Sequence, residues 1–171
     1  HTRFLHRSRG LGDVYKRQRF YYVMRSNDQH LDFDLDIAKS QSNDNPVYYI
    51  QYAHARVASV FGKLAERSLQ WNAENASATM SNLSSQKEKG LMTTLSRYPE
   101  VVELAANNRA PQHLVHYLRD LASELHSWYY DHKFIEDPDE LRDARLALCM
   151  ATRTVIANGL GILGVSAPDK M

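Results

Sequence analysis

Two tyrosines and two basic residues recur in the chain at spacings that place them on one side of a helix. Tyr48, Tyr52, Arg56 and Lys63 follow one another at intervals of four, four and seven residues. They therefore share a face when each residue turns by about 100°. Tyrosine rings can stack on unpaired bases, at about 1–3 kcal/mol per base, while arginine and lysine bind phosphates. The chemistry available to this face is the binding of single-stranded nucleic acid.

The same tyrosines could instead be covered by another helix, because tyrosine is also a core residue. Tyr49 and His54 fall at the two edges of the tyrosine face. The opposite face is apolar and predicts where the helix packs on the core, with Ile50, Ala53, Val57, Val60, Phe61 and Leu64. Periodicity alone leaves both interpretations of Tyr48 and Tyr52 open.

Capping signals predict the helices that position this face, and an all-α helix bundle. Asn45 followed by Pro46 predicts a helix start, and this helix should run to about Gln70. The Ser- and Asn-rich residues 72–86 predict a loop, and residues 88–98 a short helix.

Prolines mark the starts of three later helices, at Pro99, Pro111 and Pro138. The helix from Pro111 should reach about Lys133; its apolar face includes Tyr129, whereas Tyr130 points outward. On the last helix, Arg142, Arg145 and Arg153 group opposite the apolar residues. Such a group usually forms a solvated charged face, and we expect one here.

The first eighteen residues are aperiodic, and a back-translation of Asp13–Gln18 resembles the transposon end sequence used in sequencing libraries. We interpret residues 1–18 as adapter or read-through sequence; the alternative is a natural basic arm. Without them the chain keeps 16 basic and 19 acidic residues, a net charge of −3. Binding of nucleic acid through overall charge is thereby excluded, and a local basic patch would be required.

Other chemistry has little support in the sequence. The single Cys149 excludes a disulfide framework and a Cys-based zinc site, and it fits a reducing, cytoplasmic compartment. His113 and His116 are three residues apart, but exposed helix histidines are commoner than metal ligands. We therefore expect neither a metal nor a cofactor in this chain, and no apolar run is long enough to cross a membrane.

Two long blocks, residues 19–57 and 139–171, resemble the C-terminal end of arginyl-tRNA synthetases. "DELRDAR", residues 139–145, loosely matches the signature of the DALR-type anticodon-binding domain. The resemblance implies that residues 19–44 lead out of a catalytic domain and that residues 45–171 form a helical domain binding the anticodon loop of arginine tRNA. It also implies a parent enzyme that uses ATP, with magnesium, to attach arginine to this tRNA.

The resemblance further implies which residues contact the anticodon loop. They are Tyr52 in "YYIQY", Tyr129 in "LHSWY" and Met171; Leu125 stands where the family pattern usually has Phe. Tyr48, Arg56 and Lys63 join them from the helical face. The family's HIGH-like and KMSK-like catalytic motifs do not occur, so we expect a fragment that binds RNA and is inactive alone. We also expect it to be a monomer. The alternative is a free-standing helical module that binds a partner protein.

Overall fold

The computed structural model describes residues 18–25 and 34–171, and within these ranges all regular secondary structure is helical. This confirms the predicted all-α class. The elements are α1 (18–23), α2 (Leu35–Lys39), α3 (Pro46–Glu66), α4 (Ala73–Thr79), α5 (Gln86–Ser96), α6 (Tyr98–Asn107), α7 (Gln112–Asp131) and α8 (Asp139–Ile162), with 3₁₀ turns at Met80–Asn82 and Phe134–Glu136. The adapter interpretation and the domain boundary at residue 19 concern residues that lie mostly outside the described ranges.

Asn45 starts α3 as predicted, and it also joins the preceding segments to the bundle. Its side-chain oxygen accepts the backbone N–H groups of Val47 and Tyr48 at 3.1 and 3.3 Å. Its amide nitrogen donates to the carbonyls of Ala38 and Ser40 at 3.2 and 2.8 Å. Because Asn45 is fully buried, these bonds fix α2 and the entry angle of α3 together.

The core lies where α3, α7 and α8 meet. Trp128 and the leucines of α7 are fully buried between the apolar faces of the other two helices. On α8, Gly159 allows the close approach of α7: a Cβ there would lie 2.7 Å from a terminal methyl of Leu118. The apolar stripes that the sequence predicted for α3 and α7 therefore form the centre of the domain.

Residues 72–86 are not the loop that their composition predicts. They contain α4 and the Met80–Asn82 turn. The Asn72 side chain accepts the N–H of Glu74 at 2.8 Å, and Ala76 is 1% exposed because α4 packs on α8. Tertiary packing here overrides the weak helix propensity of a Ser/Asn-rich sequence.

The predicted solvated arginine face of α8 is wrong: Arg153 is only partly exposed and pairs with Asp169, and the other two arginines are less exposed still. Arg142 is 7% exposed, and only 12% of the Arg145 side chain is exposed. Arg145 donates to the carboxylates of Glu88 and Asp137, each at 2.8 Å, and so ties α5 and the preceding turn to α8. The wheel placed the arginines opposite the core, but α5 packs over Arg145 on that side of the helix.

The Glu88 carboxylate is almost completely buried beneath this arginine. It closes a capping box, accepting the N–H of Ser85 at 2.9 Å while the Ser85 hydroxyl accepts the N–H of Glu88. Burial alone would raise the pKa of Glu88. The hydrogen bonds from Ser85 and Arg145 outweigh burial and lower this pKa, so the group is an ionised, paired carboxylate.

Replacing Arg145 with methionine is expected to lower the free energy of unfolding by about 3–5 kcal/mol, because the buried Glu88 carboxylate loses its partner. Urea denaturation at pH 7 measures the change. Lys87→Met is the matched control, since the Lys87–Asp131 pair is about half exposed and should contribute little. Equal losses in the two variants would contradict the structural role given to Arg145.

Candidate nucleic-acid interface

Most of the predicted site residues line one open groove of about 850 Å³. Its floor is the polar side of α3, one wall is the end of α7, and the other wall is the segment 163–171, which follows α8. The groove brings together Tyr52, Arg56, Lys63, Tyr129 and Met171. Residues predicted from three separate parts of the sequence therefore meet in space.

Tyr48, the remaining predicted residue, lines a smaller adjoining groove of about 220 Å³ that shares Lys170 and Met171 with the larger one. The rings of Tyr48 and Tyr52 are parallel within 8°, with centroids 6.1 Å apart. Both tyrosines are partly buried, because α7 and the segment 163–171 flank them without covering them. Neither simple alternative describes them, since they are neither core residues nor fully exposed ones.

Arg56 is fixed between the rings of Tyr52 and Tyr129. Its guanidinium carbon lies 4.6 Å from the first ring centroid and 4.8 Å from the second. One terminal nitrogen donates to the Tyr52 hydroxyl at 3.1 Å, and the other donates to Nδ1 of His126 at 2.9 Å. The cation is therefore oriented before any ligand arrives.

His126 on α7 supports this arrangement and was not predicted. A guanidinium can only donate, so Nδ1 of His126 must accept, and the ring proton lies on Nε2, which faces the Tyr49 carbonyl at 3.4 Å. Burial, followed by the charge of Arg56, lowers the pKa of His126 to about 4. The sequence signal was its position one helical turn before Tyr129.

Tyr129 belongs to both the core edge and the groove. Its ring packs on Phe134 with centroids 5.4 Å apart, and it also contacts the guanidinium of Arg56. The helical wheel and the family resemblance gave opposite placements, and the partly buried position reconciles them. The neighbouring Tyr130 is 89% exposed, as the wheel predicted.

The groove is locally basic in a chain whose residues 19–171 carry a net negative charge. Its basic residues are Arg56, Lys63, Arg153 and Lys170, and its acidic residues are Glu66 and Asp169. Arg153 is paired with Asp169 at 2.6 Å, whereas Lys63 and Lys170 are exposed. This is the local patch of positive charge that binding to phosphates requires.

Residues 18–25 and 34–171 give no support for a metal site or for a membrane-spanning helix. There, no three His, Cys, Asp or Glu side chains come close enough to hold a metal ion. Within the same ranges, no helix combines the length and apolarity of a membrane span.

Comparisons with known proteins identify the family of this chain. The model of the DALR anticodon binding domain family matches residues 50–171. An arginine–tRNA ligase of Thioalkalivibrio sulfidiphilus and one of Coxiella burnetii are each 54% identical over 153 residues, which cover 90% of this chain and 26% of the relative. The solved arginyl-tRNA synthetase of Thermus thermophilus superposes with a TM-score of 0.78 at 30% identity, covering 93% of this chain and 27% of that one.

These matches confirm the resemblance to arginyl-tRNA synthetases that the two sequence blocks indicated. The chain spans about a quarter of the length of the curated relatives it matches. The family model covers well over half of the chain and includes every groove residue predicted from the sequence except Tyr48. The chain therefore belongs to the DALR anticodon binding domain family.

Proposed function

We propose that this chain binds the anticodon loop of arginine tRNA and that the groove between α3, α7 and the segment 163–171 is the base-binding surface. One observation carries the proposal: Tyr52, Arg56 and Tyr129 form a fixed aromatic–cation–aromatic stack along the floor and one wall of a basic groove. Unpaired bases stack on such platforms because each base presents a flat π face. Residues 45–171 are the binding domain in this proposal, and residues 19–44 lead to it from a catalytic domain.

Each groove residue has a defined part in this proposal. Tyr52 and Tyr129 offer ring surface for stacking, and Tyr48 extends the platform beyond Tyr52. Arg56 holds the two rings and contributes positive charge, while Lys63 meets a phosphate from the exposed end of the groove. Met171 covers the platform from the opposite wall. Bases are contacted by the rings and the backbone by the cations, as in single-strand recognition generally.

The parent activity is also part of the proposal. Relatives named arginine–tRNA ligase match nine-tenths of this chain, which supports a ligase that joins arginine to its tRNA with ATP and magnesium. The catalytic motifs would belong to the remaining three quarters of such an enzyme, joined in cis. A monomer working in the cytoplasm completes the proposal. The alternative protein-binding module is not favoured, because the matched relatives carry the ligase name.

Binding of an arginine tRNA transcript by the purified chain tests the function directly. We expect weak binding, because only a few phosphates meet the groove. The affinity should fall as the salt concentration rises. The control is the same transcript with its anticodon loop replaced by a stable tetraloop. Equal affinity for the two RNAs would reject the anticodon loop as the ligand.

Tyr52→Ala is expected to weaken tRNA binding by roughly 1–3 kcal/mol, the range for losing one stacked base. Tyr52→Phe should retain most of the affinity, because it keeps the ring and loses only the hydroxyl that accepts from Arg56. Filter binding gives the affinities, and thermal melting gives the stabilities.

Val57→Ala is the control for these two variants, because Val57 is fully buried on the opposite side of α3. It should lower the thermal midpoint and leave the affinity of the folded protein unchanged. If Tyr52→Ala instead behaves like Val57→Ala, then Tyr52 acts as a core residue.

The groove requires a neutral His126, which generates a pH prediction. The pKa is about 4 in the folded state and about 6.5 in an unfolded chain. Because the folded value is the lower one, this contribution to stability is complete above pH 6.5 and is lost as the pH falls towards 4. Urea denaturation of the wild type and His126→Asn across this range measures it. The asparagine oxygen can still accept from Arg56 but does not titrate, so its stability should fall less; parallel curves would contradict the assignment.

A further inference from the structure

The segment 163–171 reverses direction after α8 and runs back along α3. Gly164 adopts a left-handed conformation, with φ of 72°, which a glycine reaches without strain. The N–H of Val165 then donates to the Leu160 carbonyl at 2.8 Å, and the Val165 side chain is 5% exposed. The reversal is therefore built into the helix end, and it directs the following residues towards the groove.

Three polar side chains hold the returning segment, and we call them the tail clamp: Gln51, His54 and Arg153. The Gln51 amide donates to the Ser166 carbonyl at 2.8 Å. His54 contacts the Pro168 carbonyl through Nδ1 at 2.9 Å, and Arg153 donates to the Asp169 carboxylate at 2.6 Å. Three of the four residues from 166 to 169 are therefore bound to α3 or α8.

The clamp histidine has a defined tautomer. Arg153 donates through Nε to Nε2 of His54 at 3.3 Å, so Nε2 accepts and Nδ1 carries the proton given to Pro168. His54 is 4% exposed, so water competes little for this bond. His54 on α3 and Arg153 on α8 thus orient each other as well as the segment 163–171.

Gln51 is difficult to explain as a core residue. It is 2% exposed, and its Oε1 atom has no hydrogen-bond partner within the described parts of the chain. A buried, half-satisfied amide is unfavourable compared with an apolar side chain of the same size. The bond to Ser166 accounts for the amide, because it fixes the part of the segment that follows the buried Leu163 and Val165.

We propose that the tail clamp positions Lys170 and Met171 for RNA binding and that Lys170 is a phosphate-binding residue. Lys170 and Met171 line both the larger and the smaller groove, so they stand on the ridge between the two. Lys170 is exposed, and the nearby carboxylate of Asp169 is already paired with Arg153. Gln51, His54 and Arg153 are positioning residues in this arrangement. The proposal rests on the proposed binding of an anticodon loop.

Gln51→Leu separates positioning from folding. Leucine removes the donor to Ser166 together with the unpartnered oxygen, so the thermal midpoint should stay close to that of the wild type. Amide hydrogen exchange in residues 165–171 should become faster. If the segment is in place for only about a tenth of the time, the affinity for the arginine tRNA transcript falls about tenfold.

Four further variants of the full chain complete the experiment. Lys170→Ala should weaken tRNA binding without faster exchange, since it removes a contact and leaves the clamp intact. His54→Leu should act like Gln51→Leu, whereas His54→Asn should restore part of the affinity because its amide can donate to Pro168. Thr152→Val is the matched control: it also replaces a buried polar side chain, whose hydroxyl bonds within α8 to Leu148, and it should leave exchange and affinity unchanged.

The outcomes separate the inference from the function on which it rests. Faster exchange with unchanged affinity in Gln51→Leu would show that the segment does not serve RNA binding. Unchanged exchange would show that Gln51 does not hold it, and either result overturns the inference alone. A wild-type chain that does not distinguish arginine tRNA from its loop-replaced control would overturn the proposed function and the inference together.

Discussion

The guanidinium of Arg56 is the group around which the groove is organised. It needs an acceptor on α7, two ring faces and a hydroxyl at the same time, and His126, Tyr129 and Tyr52 provide them. These partners come from two helices, so the stack forms only when α3 and α7 have packed through their apolar faces. A preformed stack does not have to be ordered when a ligand binds, which removes part of the entropic cost of association.

Local signals in the sequence were sufficient to predict the longer helices and the α3 side of the groove. Asn45 and Pro46 determine where α3 begins, and its period separates the Ile50 face from the Tyr52 face. The family resemblance added Tyr129 and Met171 to the predicted residues of that face. In the structure, both of them line the same groove as Tyr52. Their burial was not predictable from periodicity, since it depends on how closely α7 and the segment 163–171 approach.

The features that were missed depend on partners distant in the chain. The sequence placed Arg145 on a solvated face, but in the structure it contacts Glu88 of α5, which is 57 residues away in the chain. Residues 72–86 were predicted as a loop from their composition, but α4 forms there and buries Ala76 against α8. Gln51 and His54 bind carbonyl groups more than 100 residues further along the chain. A helical wheel sorts residues by direction and carries no information about what lies in that direction.

Helix α3 presents a different partner on each of its sides along its first three turns. Ile50 and Val57 contact the core, Gln51 and His54 contact the segment 163–171, and Tyr52 and Arg56 line the groove. A rotation or shift of the helix that improved one set of contacts would break the other two. Almost no position in this part of α3 should therefore accept a substitution without losing one of these contacts. Substitutions should be tolerated instead at Ala65 in its last turn, which is exposed to solvent and does not line the groove.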